Sequence, residues 1–210
     1  MKNIKDLRTD YLKSELNVED LAEEPITLFK KWLSQAITFS NDANAFVLST
    51  VNSKGVPSSR VLLLRGASEK GLIFFTNYSS RKSHEIEVNP NVCMNFFWPD
   101  MERQVRINGS INRLLEKESD DYFNSRPYES RIGAWSSPQS QVIKSRDVLE
   151  KKIKELKKKY PNEVPRPENW GGYFIIPNEI EFWQGRASRL HDRFLYKKKG
   201  DSWLINRLAP

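Results

Sequence analysis

Between Asn44 and Leu115 the chain passes through five β-forming runs with little to separate them: "NAFVLSTVN", "RVLLLRG", "GLIFFTN", "NVCMNFFW" and "RQVRINGSINRLL". Runs of this kind, rich in β-branched and aromatic residues and bounded by Asn, Gly and Ser, read as strands. The turn signal "NSKG" joins the first two as a hairpin. One helix interrupts them, "SSRKSHEIEVNP", with Ser79 or Ser80 as N-cap and Pro90 beyond its end. Strands spaced this closely leave no room for crossover helices. The expectation is an antiparallel sheet that closes into a barrel.

The flanks are helical or irregular. Residues 1–24 are polar and charged, with periodicity only at Ile4, Leu7 and Tyr11, and read as a mobile N-terminal arm. Pro25 opens a helix whose apolar face is Leu28, Phe29, Trp32, Leu33, Ala36 and Ile37. Residues 115–160 turn helical, with a break at Pro127. They end in a basic amphipathic helix carrying Leu149, Ile153, Leu156 and Tyr160 on one face, its lysines read as the solvated side. After the loop "PNEVPRP" come "GGYFIIP", "EIEFWQG", "RFLYKKKG" and "SWLINRL", which read as four short strands completing the barrel. The fold class is therefore α+β. Residues 25–210 form a single domain, an antiparallel barrel with peripheral helices.

Several chemistries lack their residues. No Gly-rich phosphate loop and no G-x-S-x-G elbow occurs. Cys93, His84 and His191 have no metal-ligand spacing, so no metal is expected. The lone Cys93 permits no internal disulfide and suits a reducing compartment. The N-terminus has no apolar signal core, and no apolar run approaches transmembrane length. A cytoplasmic protein with no membrane partner is expected. The net charge of +7 favours anionic partners.

Four places could hold anions. At "SSRKSH" a helix start offers free N–H groups, and Arg81 and Lys82 sit where the helix dipole disfavours cations, a mismatch an anion would repair. An ordinary exposed basic turn is the alternative. In "RVLLLR" the apolar middle implies burial on both faces, and the odd spacing sends Arg60 and Arg65 to opposite sides. Tyr122, Arg126 and Ser130 recur at i, i+4, i+8 around Pro127, a phenol, a guanidinium and a hydroxyl near a helix start; Tyr122 could also be core. In "WQGRASRLHDRF", Arg189, His191 and Arg193 alternate, and on an extended segment they share one face beside Trp183. Such a face suits a flat, anionic, heteroaromatic ligand.

"RPYESRIGAWSSPQSQ", "EFWQGRASRLHDRFLY" and the terminal "INRLAP" closely resemble the pyridoxine/pyridoxamine 5′-phosphate oxidase family, and "SRKSHEIEVNP", "ERQVRINGSINRL" and "PITLFKKWLSQA" fit the same pattern in collinear order. The resemblance implies a split β-barrel binding FMN at a homodimer interface. It implies oxidation of pyridoxine or pyridoxamine 5′-phosphate to pyridoxal 5′-phosphate, with oxygen as final acceptor and hydrogen peroxide as product. FMN contacts are implied for Arg60, Val61, Leu62, Leu63, Leu64, Phe75, Thr76, Arg81, Lys82, Gln104, Gln139, Ser140, Trp183 and Arg193. Substrate contacts are implied for Arg65, Tyr122, Arg126, Ser130, Arg189 and His191, the last two flanking the reacting end, with Arg8 and Tyr11 on an arm that closes over it. The chain departs from the family at Arg65, where lysine is usual; a planar, bidentate guanidinium changes the phosphate geometry there. Two rivals stand beside this reading. One is a split-barrel flavoprotein with another activity, which the substrate set opposes. The other is a nucleic-acid module, for which "NFFW" is the one hint, so no nucleic-acid partner is expected.

Overall fold

The computed structural model describes residues 3–6 and 9–210. Helix α1 (Pro25–Ile37) precedes the strands β1 (Ala45–Val51), β2 (Pro57–Leu63), β3 (Gly66–Ser68) and β4 (Gly71–Asn77). Helix α2 (Arg81–Val88) leads to β5 (Asn91–Trp98) and β6 (Arg103–Arg113). Then come α3 (Glu116–Ser125), α4 (Tyr128–Ser136) and α5 (Arg146–Lys159), followed by β7 (Trp170–Gln184), β8 (Asp192–Lys199) and β9 (Ser202–Arg207).

All pairings are antiparallel, in the order β2-β1-β5-β6-β7-β4-β3, with β8 on β7 and β9 on β8. β2 at one end of this order runs through Leu64 and Arg65 straight into β3 at the other end. The covalent chain thus ties the two edges together, and the sheet has to curl. The barrel is split along β7: one edge pairs with β6, while the other is shared by β4 over Trp170–Ile175 and by β8 over Glu179–Gln184.

Alternation sends Phe46, Leu48, Phe74, Met94, Phe96, Val105, Ile107, Ile175, Ile180 and Phe182 into the core. Helix α1 covers that core with Ile26, Leu28, Phe29, Trp32 and Ala36, Trp32 meeting Phe182 edge-on. Ile37, expected on this face, is exposed. A second apolar cluster, Phe123, Ile132, Leu156, Val164 and Trp170, joins α3, α4 and α5 to the start of β7.

Two strand readings are corrected. "GGYFIIP" and "EIEFWQG" form one 15-residue strand, β7, rather than two. The proline sits at a bulge, where Pro177 faces Gly109 and Glu179 faces Asn108, a place in a sheet where proline is tolerated. A Cβ on residue 109 would collide with the Ile176 carbonyl, so the bulge requires glycine there. β2 is not buried on both faces. It is an edge strand with Val61 66% and Leu63 39% exposed.

The segment before α1 lies along the barrel from Tyr11 onward. The Tyr11 ring fills the space over Gly185, where a Cβ would come within 2.7 Å of it. Leu16 is buried in the main core. Arg8 lies outside the described residues. No helix among the described residues is long and apolar enough to cross a membrane.

Candidate functional site

The helix break at Pro127 does what its sequence requires. α3 ends at Ser125, Arg126 is extended, and α4 starts at Tyr128. The break turns Tyr122, Arg126 and Ser130 into a cleft of about 660 Å³ with Arg65, Phe75 and Trp170, walled on the other side by Val61, Leu62 and Leu63. Phe75 stacks on Tyr122 at 3.8 Å between ring centres, and Trp170 lies nearly parallel to both. The Arg126 guanidinium sits 4.5 Å over the Trp170 ring. Its Nη1 is buried and has no hydrogen-bond partner among the described residues. A buried, unpartnered guanidinium nitrogen in an open cleft is costly unless a ligand completes it.

A second cleft continues from the first, sharing Leu62, Phe75, Arg126, Ser130 and Trp170, and extends to Thr76 and Gln139. Beside it Lys82 is 5% exposed and donates to Thr76 Oγ1 at 3.0 Å, Ser80 Oγ at 2.9 Å and Gln139 Oε1 at 2.9 Å. All three acceptors are neutral, and among the described residues Lys82 makes no ion pair. Burial, with Arg60 nearby, lowers its pKa to about 8. Among the described residues this buried cation has no counter-charge.

Arg60 and Arg81 behave differently from Lys82. Both reach Glu85, which is 5% exposed: Arg81 Nε at 2.8 Å and Arg60 Nη2 at 3.4 Å. Ser58 Oγ donates to the same carboxylate at 2.6 Å, and Thr50 Oγ1 also donates to it. Arg60 in turn donates to Thr50 Oγ1 and Ser58 Oγ. The charge mismatch expected at the start of α2 is therefore repaired for Arg81 by its own helix, one turn on, and persists only for Lys82. Glu85 escaped the sequence reading although its i+4 spacing from Arg81 is a legible signal. Burial alone would raise the Glu85 carboxyl, but the bonds from Ser58 and Thr50 and the bond and charge of Arg81 outweigh it and hold it at about 2. A depressed carboxyl stabilises the fold above its unfolded value and loses that contribution as pH falls through the folded one. Urea midpoints should accordingly fall between pH 4.5 and about 2, and Glu85→Gln should flatten this decline. An unchanged decline in the variant would remove Glu85 as its source.

The remaining predicted residues gather elsewhere. Gln104, Trp183 and Arg193 are cross-strand neighbours on β6, β7 and β8, outside the barrel. Arg193 Nε donates to the buried Glu181 at 2.8 Å and Nη1 to the Ala209 carbonyl. His191 packs 4.6 Å from Trp183 and 5.9 Å from Tyr11 between ring centres. A cleft of about 580 Å³ joins Tyr11, Arg186, Arg189 and His191. The expected shared face of Arg189, His191 and Arg193 is corrected. The extended segment begins only at Asp192, and Arg189 lies in a tight turn with Ser188 and Arg189 both left-handed, at φ 54° and 62°. Arg189 is thereby swung out of the strand and exposed. Ser140, also at positive φ, lines a fourth cleft with Arg81 and Gln139. Leu64 is buried in the main core, its neighbour Arg65 exposed at the first cleft.

One chain does not unite the two groups. Phe75 and Thr76 pair with Gly172 and Gly171 at one end of β7, while Trp183 and Arg193 lie at the other. At about 3.3 Å per residue, roughly 36 Å of strand separates Gly172 from Trp183.

Comparisons with known proteins agree with this architecture. A family model described as Pyridoxamine 5′-phosphate oxidase matches residues 34–160, and one described as Pyridoxine 5′-phosphate oxidase C-terminal dimerisation region matches residues 170–210. A protein of Neisseria gonorrhoeae named pyridoxine/pyridoxamine 5′-phosphate oxidase is 48% identical over 209 residues, covering 99% of this chain and 100% of its own. One of the same name from Burkholderia mallei is 48% identical over 214 residues, covering both chains in full. The crystal structure of PhzG from Burkholderia lata 383, in complex with tetrahydrophenazine-1-carboxylic acid, superposes with a TM-score of 0.87 at 32% identity, covering 93% of this chain and 98% of that one. A pyridoxamine 5′-phosphate oxidase-related, FMN binding protein from Nostoc punctiforme shares the fold, with a TM-score of 0.73 at 19% identity, covering 90% and 98%. With matches that run from the first helix to the last residue, and a split barrel to carry them, the chain belongs to the pyridoxine/pyridoxamine 5′-phosphate oxidase family.

Proposed function

We propose that the protein is an FMN-dependent oxidase that converts pyridoxamine or pyridoxine 5′-phosphate to pyridoxal 5′-phosphate, acting as a cytoplasmic homodimer with oxygen as acceptor. The carrying observation is a pair of cations incompletely matched among the described residues: Lys82, buried beside the second cleft without a counter-charge, and Arg126, lining both clefts with an unpartnered nitrogen. Two ligands that each bear a phosphate, bound side by side, account for both.

FMN fits the Lys82 side. Its phosphate would take the place of the exposed Gln139 amide oxygen at the ammonium, with the free N–H groups at the start of α2 beside it. When bound, FMN supplies the acceptor for two electrons and oxygen regenerates it. The chain supplies binding and orientation. Arg126, Arg65, Tyr122 and Ser130 would anchor the substrate phosphate, and this remote binding energy holds the reacting carbon in place. Phe75, Tyr122 and Trp170 give the pyridine an apolar wall and exclude water.

The separation of the two residue groups along β7 supports a site built from two chains. A two-fold pairing would bring the Trp183–His191 end of one chain to the Phe75–Arg126 end of the other. The exposed Val61 and Leu63 on edge strand β2 and the match to a dimerisation region favour the same assembly.

The purified protein is expected to be yellow with flavin bands and to consume oxygen when given pyridoxamine 5′-phosphate. A colourless protein that takes up no FMN would overturn the cofactor; a yellow one without turnover would overturn the substrate. Sedimentation is expected to show that FMN is retained by dimer and lost on dissociation. A monomer that still holds FMN tightly would exclude the two-chain site.

A further inference from the structure

The turn from Arg186 to His191 carries two consecutive left-handed residues, Ser188 and Arg189, neither of them glycine. Such backbone persists only where its surroundings over-determine it. Within the turn, one backbone bond closes Leu190 N–H on the Ala187 carbonyl. The ends are tied by a different kind of bond: the Arg186 backbone N–H donates to His191 Nδ1 at 3.1 Å. We propose that His191 is the latch of this turn, a positioning residue held as a neutral imidazole with its proton on Nε2, and that the latch sets where Arg189 stands.

A backbone N–H can only donate, so the nitrogen facing it has to be bare. The neutral ring then carries its proton on Nε2. A flipped ring would set a C–H against that N–H and leave a donor unmet. The ring is further fixed by Trp183 at 4.6 Å and by Tyr11, from the N-terminal segment, at 5.9 Å. Arg189 on the turn and Arg193 on β8 are the cations that act on it, Arg186 lines the same cleft, and Asp10 and the Tyr11 phenol face that cleft from the N-terminal side. Asp192 is the neighbouring anion, but its carboxylate is already taken by Arg186 at 3.1 Å, Arg207 at 2.9 Å and the Leu16 N–H at 3.2 Å. Burial first, then Arg189 and Arg193, push the imidazole below its ordinary pKa, with Asp192 opposing them. A neutral ring at physiological pH follows from geometry and charge alike. Protonation would set a donor against a donor and open the latch, so Arg189 should lose its position as pH falls. With Nδ1 occupied and Nε2 protonated, this ring offers substrate a donor and has no free lone pair for a proton.

The oxidase reading gives Arg189 its substrate, and in that respect the inference rests on it. The latch can also be observed without turnover. The chain has two histidines, so protein labelled with ¹⁵N at histidine shows two ring systems, and His191→Asn assigns them. In the FMN-loaded dimer at pH 7–8, His191 is expected as the Nε2–H tautomer. His84, 66% exposed beside Glu87, serves as the second ring of the comparison. A charged ring or the Nδ1–H tautomer at His191 overturns the latch. The second measurement compares His191→Asn with His191→Ala. Both lack Nε2–H, but the asparagine amide oxygen can accept where Nδ1 did, so their difference isolates the latch. His191→Asn is expected to exceed His191→Ala about tenfold in kcat/KM, the scale of one net hydrogen bond. It is also expected to lose the acid limb that the latch predicts for the unmutated enzyme. Equal losses in the two variants overturn the proposal. An unmutated protein without oxidase activity would overturn the substrate reading instead and leave the tautomer result standing.

Discussion

Arg126→Ala is expected to leave a yellow dimer with full flavin content and a kcat/KM for pyridoxamine 5′-phosphate lower by about 10²-fold, the scale of one lost charge-assisted hydrogen bond to a phosphate. The size of the effect follows from burial. The guanidinium is half-buried against Trp170, its Nη1 has no partner, and Tyr122 and Ser130 line the same cleft. Burial lowers the pKa of Arg126, with Arg65 acting in the same sense and Tyr122 opposing, yet arginine stays charged at any working pH. Arg126→Lys keeps the charge without the fork and should recover part of the loss. Substrates lacking the phosphate should be little affected by either change, because the interaction they would lose is absent already. Loss of flavin in Arg126→Ala, or an unchanged kcat/KM, would sink the assignment of this cleft to the substrate phosphate.

Lys82→Met should raise the Kd for FMN by roughly 10²-fold while leaving the affinity for riboflavin, which has no phosphate, nearly unchanged. Methionine fills a similar volume, so the loss should report charge rather than packing. The same lysine predicts a pH dependence of known sign. Its pKa in the unliganded protein is about 8, depressed by burial and by Arg60. Below that value the ammonium is present and the phosphate meets its full charge. Above it the free site is neutral, binding must take up a proton, and the Kd rises by up to tenfold per pH unit. Titrations of FMN fluorescence from pH 6 to 10 would show the bend. Lys82→Arg should flatten it, since arginine does not titrate there. Arg81→Ala should cost less than Lys82→Met, because Arg81 already has Glu85. Should the two costs be reversed, the FMN phosphate does not sit at Lys82.

The α+β class, the hairpin at "NSKG", the helices before and after Pro127 and the i, i+4, i+8 set of Tyr122, Arg126 and Ser130 were legible along the chain. Each depends on φ/ψ preferences and side-chain periods only a few residues long. Partner choice was not legible, because it is set by residues distant in sequence. Arg60 on its strand and Arg81 and Lys82 at a helix start all read as cations open to an anion. The fold brings Thr50 and Ser58 from two strands onto Glu85, pairs both arginines with that one carboxylate and, among the described residues, leaves the lysine without an anion. The apolar run of β2 is locally indistinguishable from a central strand, and only the sheet order makes it an edge. Alternation of Arg189, His191 and Arg193 predicted one face, but the bond from the Arg186 N–H to His191 helps hold a left-handed turn that no periodicity encodes. Composition and short-range pattern determined which chemistries the chain carries and roughly where. Tertiary structure decided which of its charges are already satisfied, because burial and distant partners, which fix the energy of an ion, exist only once the chain has folded.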